Sequence, residues 1–306
     1  VLMFEKGAPT DRPTKTFYWR LNNGRTSDEL IGFGSGVGVA VANGQLIVND
    51  GRVLFWNIPN GVADLISGKA ADGIAGVTDF KQPSSPGCCL ATKADKSGHL
   101  YVSLAIAGDF ATRIEIYQLP LTTGAKPIKV IGEKLLPQGI NTLPLLGGGQ
   151  TEFGGLHFGL VPSDDGKFLW VSDQGGNRVF RIRDPLTGPV VDIILGQLDS
   201  NRGACNRGGT AAPNTLCQPG ALSFDRFGNL YVADSSLETA GNGRLLLFNK
   251  ELLPENNTAV IYAPSASKIF PSPDGSGLSP SLNRSPAWEP AFDSKNRMII
   301  GFNPIL

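Results

Sequence analysis

Apolar residues in this chain gather in short runs, each led by a turn residue. Five segments share one pattern: a Gly or Asn turn, then a strand-like apolar run, in three cases closed by an Asp. They are Gly44-Gln45-Leu46-Ile47-Val48-Asn49-Asp50, Gly98-His99-Leu100-Tyr101-Val102-Ser103, Gly166-Lys167-Phe168-Leu169-Trp170-Val171-Ser172-Asp173, Gly228-Asn229-Leu230-Tyr231-Val232-Ala233-Asp234 and Asn296-Arg297-Met298-Ile299-Ile300-Gly301. Short runs of β-branched and aromatic residues between turn signals predict strands. Anchored on Leu46, Leu100, Leu169, Leu230 and Met298, the spacings are 54, 69, 61 and 68 residues. Such irregular spacing does not fit a solenoid of identical coils, but it fits blades with variable loops.

Two further elements recur. An Arg-led apolar run comes after four of the anchors: Arg52-Val53-Leu54-Phe55-Trp56, Arg113-Ile114-Glu115-Ile116-Tyr117, Arg178-Val179-Phe180-Arg181-Ile182 and Arg244-Leu245-Leu246-Leu247-Phe248. A Gly-led strand precedes three: Gly38-Val39-Ala40-Val41, Gly155-Leu156-His157-Phe158 and Gly220-Ala221-Leu222-Ser223-Phe224-Asp225. Each unit therefore reads strand, turn, strand, loop, strand. One such sheet buries too little alone, so the units are expected to pack face to face around an axis. The expected fold is all-β: a β-propeller of four-stranded antiparallel blades, with five repeats visible and five or six blades in the ring. A single domain is expected over residues 1–306, with blade anchors near 46–50, 100–104, 169–173, 230–234 and 298–302. The fifth unit stops before an Arg-led outer strand. Val1-Leu2-Met3-Phe4 matches the Val53-Leu54-Phe55-Trp56 run after Arg52, so residues 1–4 are a candidate closing strand.

The stretch from Pro219 through Gly220-Ala221-Leu222-Ser223-Phe224-Asp225 to Asp234-Ser235 resembles an NHL repeat, as does Asp173-Gln174-Gly175-Gly176-Asn177-Arg178-Val179. Ile194-Leu195-Gly196-Gln197-Leu198-Asp199, with a Cys-bounded loop after it, is similar to inter-repeat segments of secreted bacterial NHL-repeat proteins. The resemblance covers roughly residues 36–302 and is strongest in the third and fourth units. It implies a propeller, usually six-bladed. It implies no single activity, since propellers host many functions.

Composition agrees with many short strands: 39 Gly and 22 Pro in 306 residues, 41% hydrophobic and only 18% charged. Lys+Arg and Asp+Glu both number 27, and no basic block appears, which argues against a nucleic-acid partner. No apolar run reaches the roughly 20 residues of a membrane-spanning helix. The opening residues lack a signal-peptide pattern and read as the inside of a strand, as expected for a mature or truncated piece of a longer chain or assembly.

Four cysteines bear on the compartment. Cys205 and Cys217 bracket a loop of Gly, Asn, Thr and Pro with little apolar content to hold it. A disulfide there would contribute roughly 3 kcal/mol and would point to a secreted, periplasmic or cell-surface location; the alternative is two buried free thiols. Adjacent Cys88 and Cys89 form a candidate vicinal disulfide, with free thiols as the alternative. Some quinone-dependent propeller dehydrogenases carry such a pair, but nothing else here resembles them. No CxxC spacing supports a cysteine metal site.

Candidate chemistry is sparse. Metal-dependent propeller lyases and lactonases need several ligands converging on the axis, and the chain has only two histidines. His99 sits at a turn-to-strand step and is expected to be solvent-exposed. His157 lies in a strand expected near the axis. Asp50, Asp173 and Asp234 recur at one place in the blade. They could form a carboxylate ring for Ca²⁺ at a channel mouth, or each could hold the next turn. No other cofactor is expected. Gly32-Phe33-Gly34-Ser35-Gly36-Val37-Gly38 lacks a dinucleotide-binding register, and no GxSxG is present. Asn256-Asn257-Thr258 and Asn283-Arg284-Ser285 are glycosylation sequons. Loops should fall on the faces and rim, with Trp56, Phe270 and Trp288 as candidate contacts, or as ordinary blade packing. The expected function is a non-catalytic extracytoplasmic binding or scaffold module with a protein or glycan partner. The alternatives are a metal-dependent lyase or lactonase, and a structural domain of a larger cell-envelope assembly.

Overall fold

The apolar anchor runs become the second strands of successive sheets, buried along most of their length because both faces are covered. A computed structural model describes residues 2–3, 15–16, 38–49, 52–65, 70–80, 91–105, 112–131, 159–174, 176–199, 202–234, 242–257, 259–270, 290–293 and 295–299. Two short strands, β1 (Leu2–Met3) and β2 (Lys15–Thr16), pair with each other. The first blade then runs β3 (Gly38–Ala42), β4 (Gln45–Asn49), β5 (Val53–Asn57) and β6 (Gly73–Ala75). The second runs β7 (Thr92–Ala94), β8 (His99–Ala105), β9 (Thr112–Gln118) and β10 (Lys129–Ile131). The third runs β11 (Leu160–Pro162), β12 (Phe168–Asp173), β13 (Arg178–Arg183) and β14 (Val190–Leu195). The fourth runs β15 (Pro219–Phe224), β16 (Leu230–Asp234) and β17 (Arg244–Phe248). Its connection first lends β18 (Ile261–Tyr262) to the edge of blade three, parallel to β14, then returns as its own outer strand β19 (Lys268–Phe270). A last hairpin pairs β20 (Ala291–Phe292) with β21 (Met298–Ile299).

Within each blade the strands pair antiparallel in chain order, from inner to outer. The innermost strands neighbour one another in sequence: β3 lies against β7, β7 against β11, and β11 against β15. This is the arrangement of propeller blades. The inner strands approach closely. At Gly159, just before β11, an added Cβ would sit 2.5 Å from Gly220 O and 2.7 Å from Leu222 N, so no side chain fits there.

The core is a series of interblade seams. Blades one and two bury Ile47, Phe55, Val102 and Tyr117. Blades two and three bury Tyr101, Ile116, Leu169 and Phe180. Blades three and four bury Trp170, Ile193, Leu222 and Leu246. Tyr231, Ala233 and Leu245 of blade four then meet Phe292 and Met298 of the last hairpin. The other face of blade one packs Leu46, Leu54 and Trp56 against Ile58, Leu65, Ala71 and Phe80.

The blade count differs from expectation. Four complete blades are described, not five or six. The fifth unit supplies only β20 and β21, and no outer strand joins them among the described residues. Residues 2–3 pair with β2 in the described structure, so a closing role for residues 1–4 draws no support from that pairing.

Candidate functional site

The two ends of the blades are built differently. At one end lie the turns joining each first strand to its second. In blade two, His99 N donates to Asp95 Oδ1 at 2.8 Å, and His99 Nδ1 lies 2.9 Å from Asp95 Oδ2. In blade four, Asn229 N donates to Asp225 Oδ1 at 3.0 Å and Asn229 Nδ2 to Asp225 Oδ2 at 2.9 Å. In the last hairpin, Arg297 N donates to Asp293 Oδ1 at 2.8 Å and Arg297 Nε to Oδ2 at 2.6 Å. One device thus recurs: an Asp grips the backbone and side chain of the residue four places on. Blade three uses Ser163, whose hydroxyl accepts from Phe168 N and donates to Asp165.

His99 is therefore not the exposed residue expected from the sequence. Its side chain is 16% exposed and is held by Asp95, a carboxylate that also accepts from Tyr101 OH at 3.0 Å. Burial, and after it the Asp95 charge and hydrogen bond, pushes the Tyr101 phenol well above its ordinary value.

At the other end of the blades, Asp173 and Asp234 stand directly opposite Arg178 and Arg244 in the strand register. Asp173 accepts from Arg178 Nε at 2.7 Å and from Gly176 N at 3.1 Å. Asp234 accepts from Arg244 Nε at 2.8 Å, Asn242 Nδ2 at 2.7 Å and Cys217 N at 2.7 Å. Burial pushes the Asp234 carboxyl up, opposed by Arg244, Asn242 and the Cys217 N–H. Arg244 also donates to Ala212 O and Thr215 O. These two Asp residues thus anchor arginines and loops, and no group of three or more metal-ligating side chains forms among the described residues. The Cys205–Cys217 disulfide is present and closes the 206–216 loop beside Asp234. Asp50, Cys88, Cys89, His157 and Trp288 lie outside the described residues. Trp56 is buried in the first blade, and Phe270 is half-buried against Tyr231.

Four turns, those of blades two, three and four and of the last hairpin, and the 249–257 connection frame a cleft of about 710 Å³. Its floor carries Phe168, Trp170 and Arg181. The Arg181 guanidinium lies over the Phe168 ring at 4.2 Å from its centroid, pairs with Asp192 at 2.8 Å, and donates to Leu253 O and Pro254 O. Lys96 and Asp164 bridge blades two and three at 2.6 Å on the rim. Asp165 is also on the rim. Slight burial pulls its carboxyl upward, but hydrogen bonds from the Lys167 ammonium, the Ser163 hydroxyl and the Lys167 N–H outweigh this and hold it at about 2. Arg226 and Phe227 occupy the blade-four turn, with the Arg226 guanidinium 4.8 Å from the ring centroid. Phe227 is 60% exposed.

The cleft has no counterpart among the residues that the sequence singles out. Its lining comes from turns as far apart as Lys96 and Asp293, and only the folded blades bring them together. Asp95, Asp225 and Asp293 stand at matching offsets in the sequence. The residues that they grip are His, Asn and Arg, which hides the repeat.

No family model and no curated protein matches the chain. Solved structures with some likeness include virginiamycin B lyase from Staphylococcus aureus, 10% identical over 86% of this chain and 61% of that one, with a TM-score of 0.40. A luciferin-regenerating enzyme is 13% identical over 80% and 67% of the two chains, with a TM-score of 0.42. A functionally unknown protein from Desulfotomaculum acetoxidans is 15% identical over 87% and 79%, with a TM-score of 0.43. The chain thus spans about three fifths (61%) of the length of the first of these. At such scores the likeness carries no argument, and the blade arrangement described above stands on its own strand pairing.

Proposed function

We propose that this protein is a non-catalytic binding module of the NHL-repeat kind, working outside the cytoplasm, with the blade-turn cleft as its ligand site. The observation that carries this reading is Phe227. It is the most exposed aromatic residue among those described, yet it sits on a turn fixed from every side. Phe227 N and Asn229 N both donate to Asp225 Oδ1, Gly228 N donates to Asp225 O, and Arg226 N donates to Asn296 Oδ1 of the next hairpin. An exposed ring on a backbone held this firmly is well suited to contact a partner, because little backbone motion is lost on binding.

The rest of the cleft suits binding better than turnover. Asp164, Asp165, Asp293 and Glu255 each face a Lys or Arg, and Asp225 is engaged by its own turn. Among the described residues, no carboxylate of the cleft stands ready as a free base. The disulfide favours an oxidising compartment, and no helix among the described residues is long and apolar enough to cross a membrane.

The test is co-sedimentation of the purified protein with cell-envelope material of its source, wild type against Phe227→Ala. Wild type should be retained, and the variant should lose at least tenfold in retention with an unchanged melting temperature. Equal retention of the two would overturn the assignment of the cleft.

A further inference from the structure

We propose that the cleft takes a neutral oligosaccharide. The inference rests on the reading of the cleft as a ligand site and names the class of its ligand.

Charges of both signs line the cleft: Lys96, Arg181, Arg226 and Lys250 against Asp164, Asp165, Asp225, Glu255 and Asp293. Most are cancelled at short range: Lys96 with Asp164 at 2.6 Å, Lys167 with Asp165 at 2.8 Å, Arg297 with Asp293 at 2.6 Å and Arg181 with Asp192 at 2.8 Å. A polyanion would meet five carboxylates, and a polycation would meet four cations. Neither finds a complementary field. A neutral ligand escapes both penalties.

The same pairs form a dense array of polar groups. A carboxylate in one ion pair keeps further lone pairs, and an ammonium or guanidinium keeps further N–H donors. Hydroxyl groups both donate and accept, so a run of vicinal hydroxyls can satisfy both kinds of group, through bonds strengthened by the charge. Arg226 adds a guanidinium that lies against the Phe227 ring. Sugar rings also carry C–H faces, and the exposed Phe227 offers them a flat apolar platform.

An extended peptide is less well served by this lining. The cleft is framed mainly by turns at the ends of strands, and β11, β15 and β20 reach it only by their last residues, Pro162, Phe224 and Phe292. A peptide adding to a sheet needs a length of strand edge rather than strand ends.

The experiment titrates the full chain with cellohexaose, xylohexaose, chitohexaose, mannohexaose and maltohexaose, monitored by calorimetry and ligand-observed NMR. Hexagalacturonate and hexalysine serve as charged comparators. At least one neutral hexasaccharide should bind saturably, with an affinity that changes less than about twofold between low and high salt. Phe227→Ala should weaken it about tenfold, equivalent to about 1.4 kcal/mol, while Phe227→Tyr should keep it. Melting curves check that both variants are folded. The inference is overturned if none of the five binds, if only a charged comparator binds, or if Phe227→Ala leaves neutral-sugar binding unchanged. If the sugars fail while envelope retention still depends on Phe227, the ligand class falls and the binding site stands. If retention is also indifferent to Phe227, both fall.

Discussion

Tyr101 shows how one residue ties the seams to pH. Its hydroxyl donates to Asp95 Oδ2 in a buried setting, so the neutral phenol is favoured in the folded chain and its pKa is raised. Below the unfolded value of about 10 the stabilising contribution is fully present, and it is lost as pH rises beyond that. Tyr101→Phe should cost about 1–3 kcal/mol at neutral pH through the lost hydrogen bond. Its melting temperature should also fall less steeply than that of wild type from about pH 9.5 to about pH 11, the range just around the unfolded phenol value. Parallel slopes would show that Tyr101 does not titrate as described. Arg181 gives a second case. Asp192→Ala would leave a buried guanidinium without its carboxylate and should destabilise by about 3–5 kcal/mol in denaturant titration. A loss under about 1 kcal/mol would mean that the carbonyls of Leu253 and Pro254 suffice alone.

At the scale of elements, the strands were the most legible part of the sequence. Leu46, Leu100, Leu169 and Leu230 all sit in buried second strands, because a two-sided interior demands continuous apolar runs. The Arg-led third strands were also visible. What the residue pattern could not supply was that Asp173 faces Arg178, and Asp234 faces Arg244, across one antiparallel register. The hairpin Asp residues escaped for a related reason: their partner four places on contributes a backbone N–H, which any residue but proline has. The disulfide was legible because two cysteines bracket a loop with little apolar content; the Arg244 and Asn206 hydrogen bonds that also hold the loop were not. Replacing both Cys205 and Cys217 by Ser should cost roughly 3 kcal/mol of stability without changing ligand binding, since that loop sits at the blade ends opposite the cleft. Loss of binding in the folded double variant would place the site elsewhere.

For the whole molecule, the propeller arrangement was readable from repeats, and the number of blades was not. Spacing between repeats reports loops as much as blades. Thus β18 leaves the fourth unit to join the third blade, and the fifth unit contributes a lone hairpin among the described residues. The cleft was illegible for the same reason: it exists only where four turns and a crossing connection meet. That crossing connection clamps blades three and four, and it supplies Lys250, Leu253 and Glu255 to the cleft wall. The seam between these blades should therefore open only with global unfolding. Leu222→Ala in it should cost about 2–5 kcal/mol in a single cooperative transition. Two separate transitions would show that the blades fold independently.

The central claim is that ligand is held by the blade turns around Phe227. Hydrogen–deuterium exchange, comparing the free protein with protein saturated by the envelope fraction that retains it, tests this most directly. Slowed exchange is predicted at 163–168, 225–229 and 249–257. Protection confined to 205–217 and the opposite blade ends, with these three segments unchanged, would contradict it.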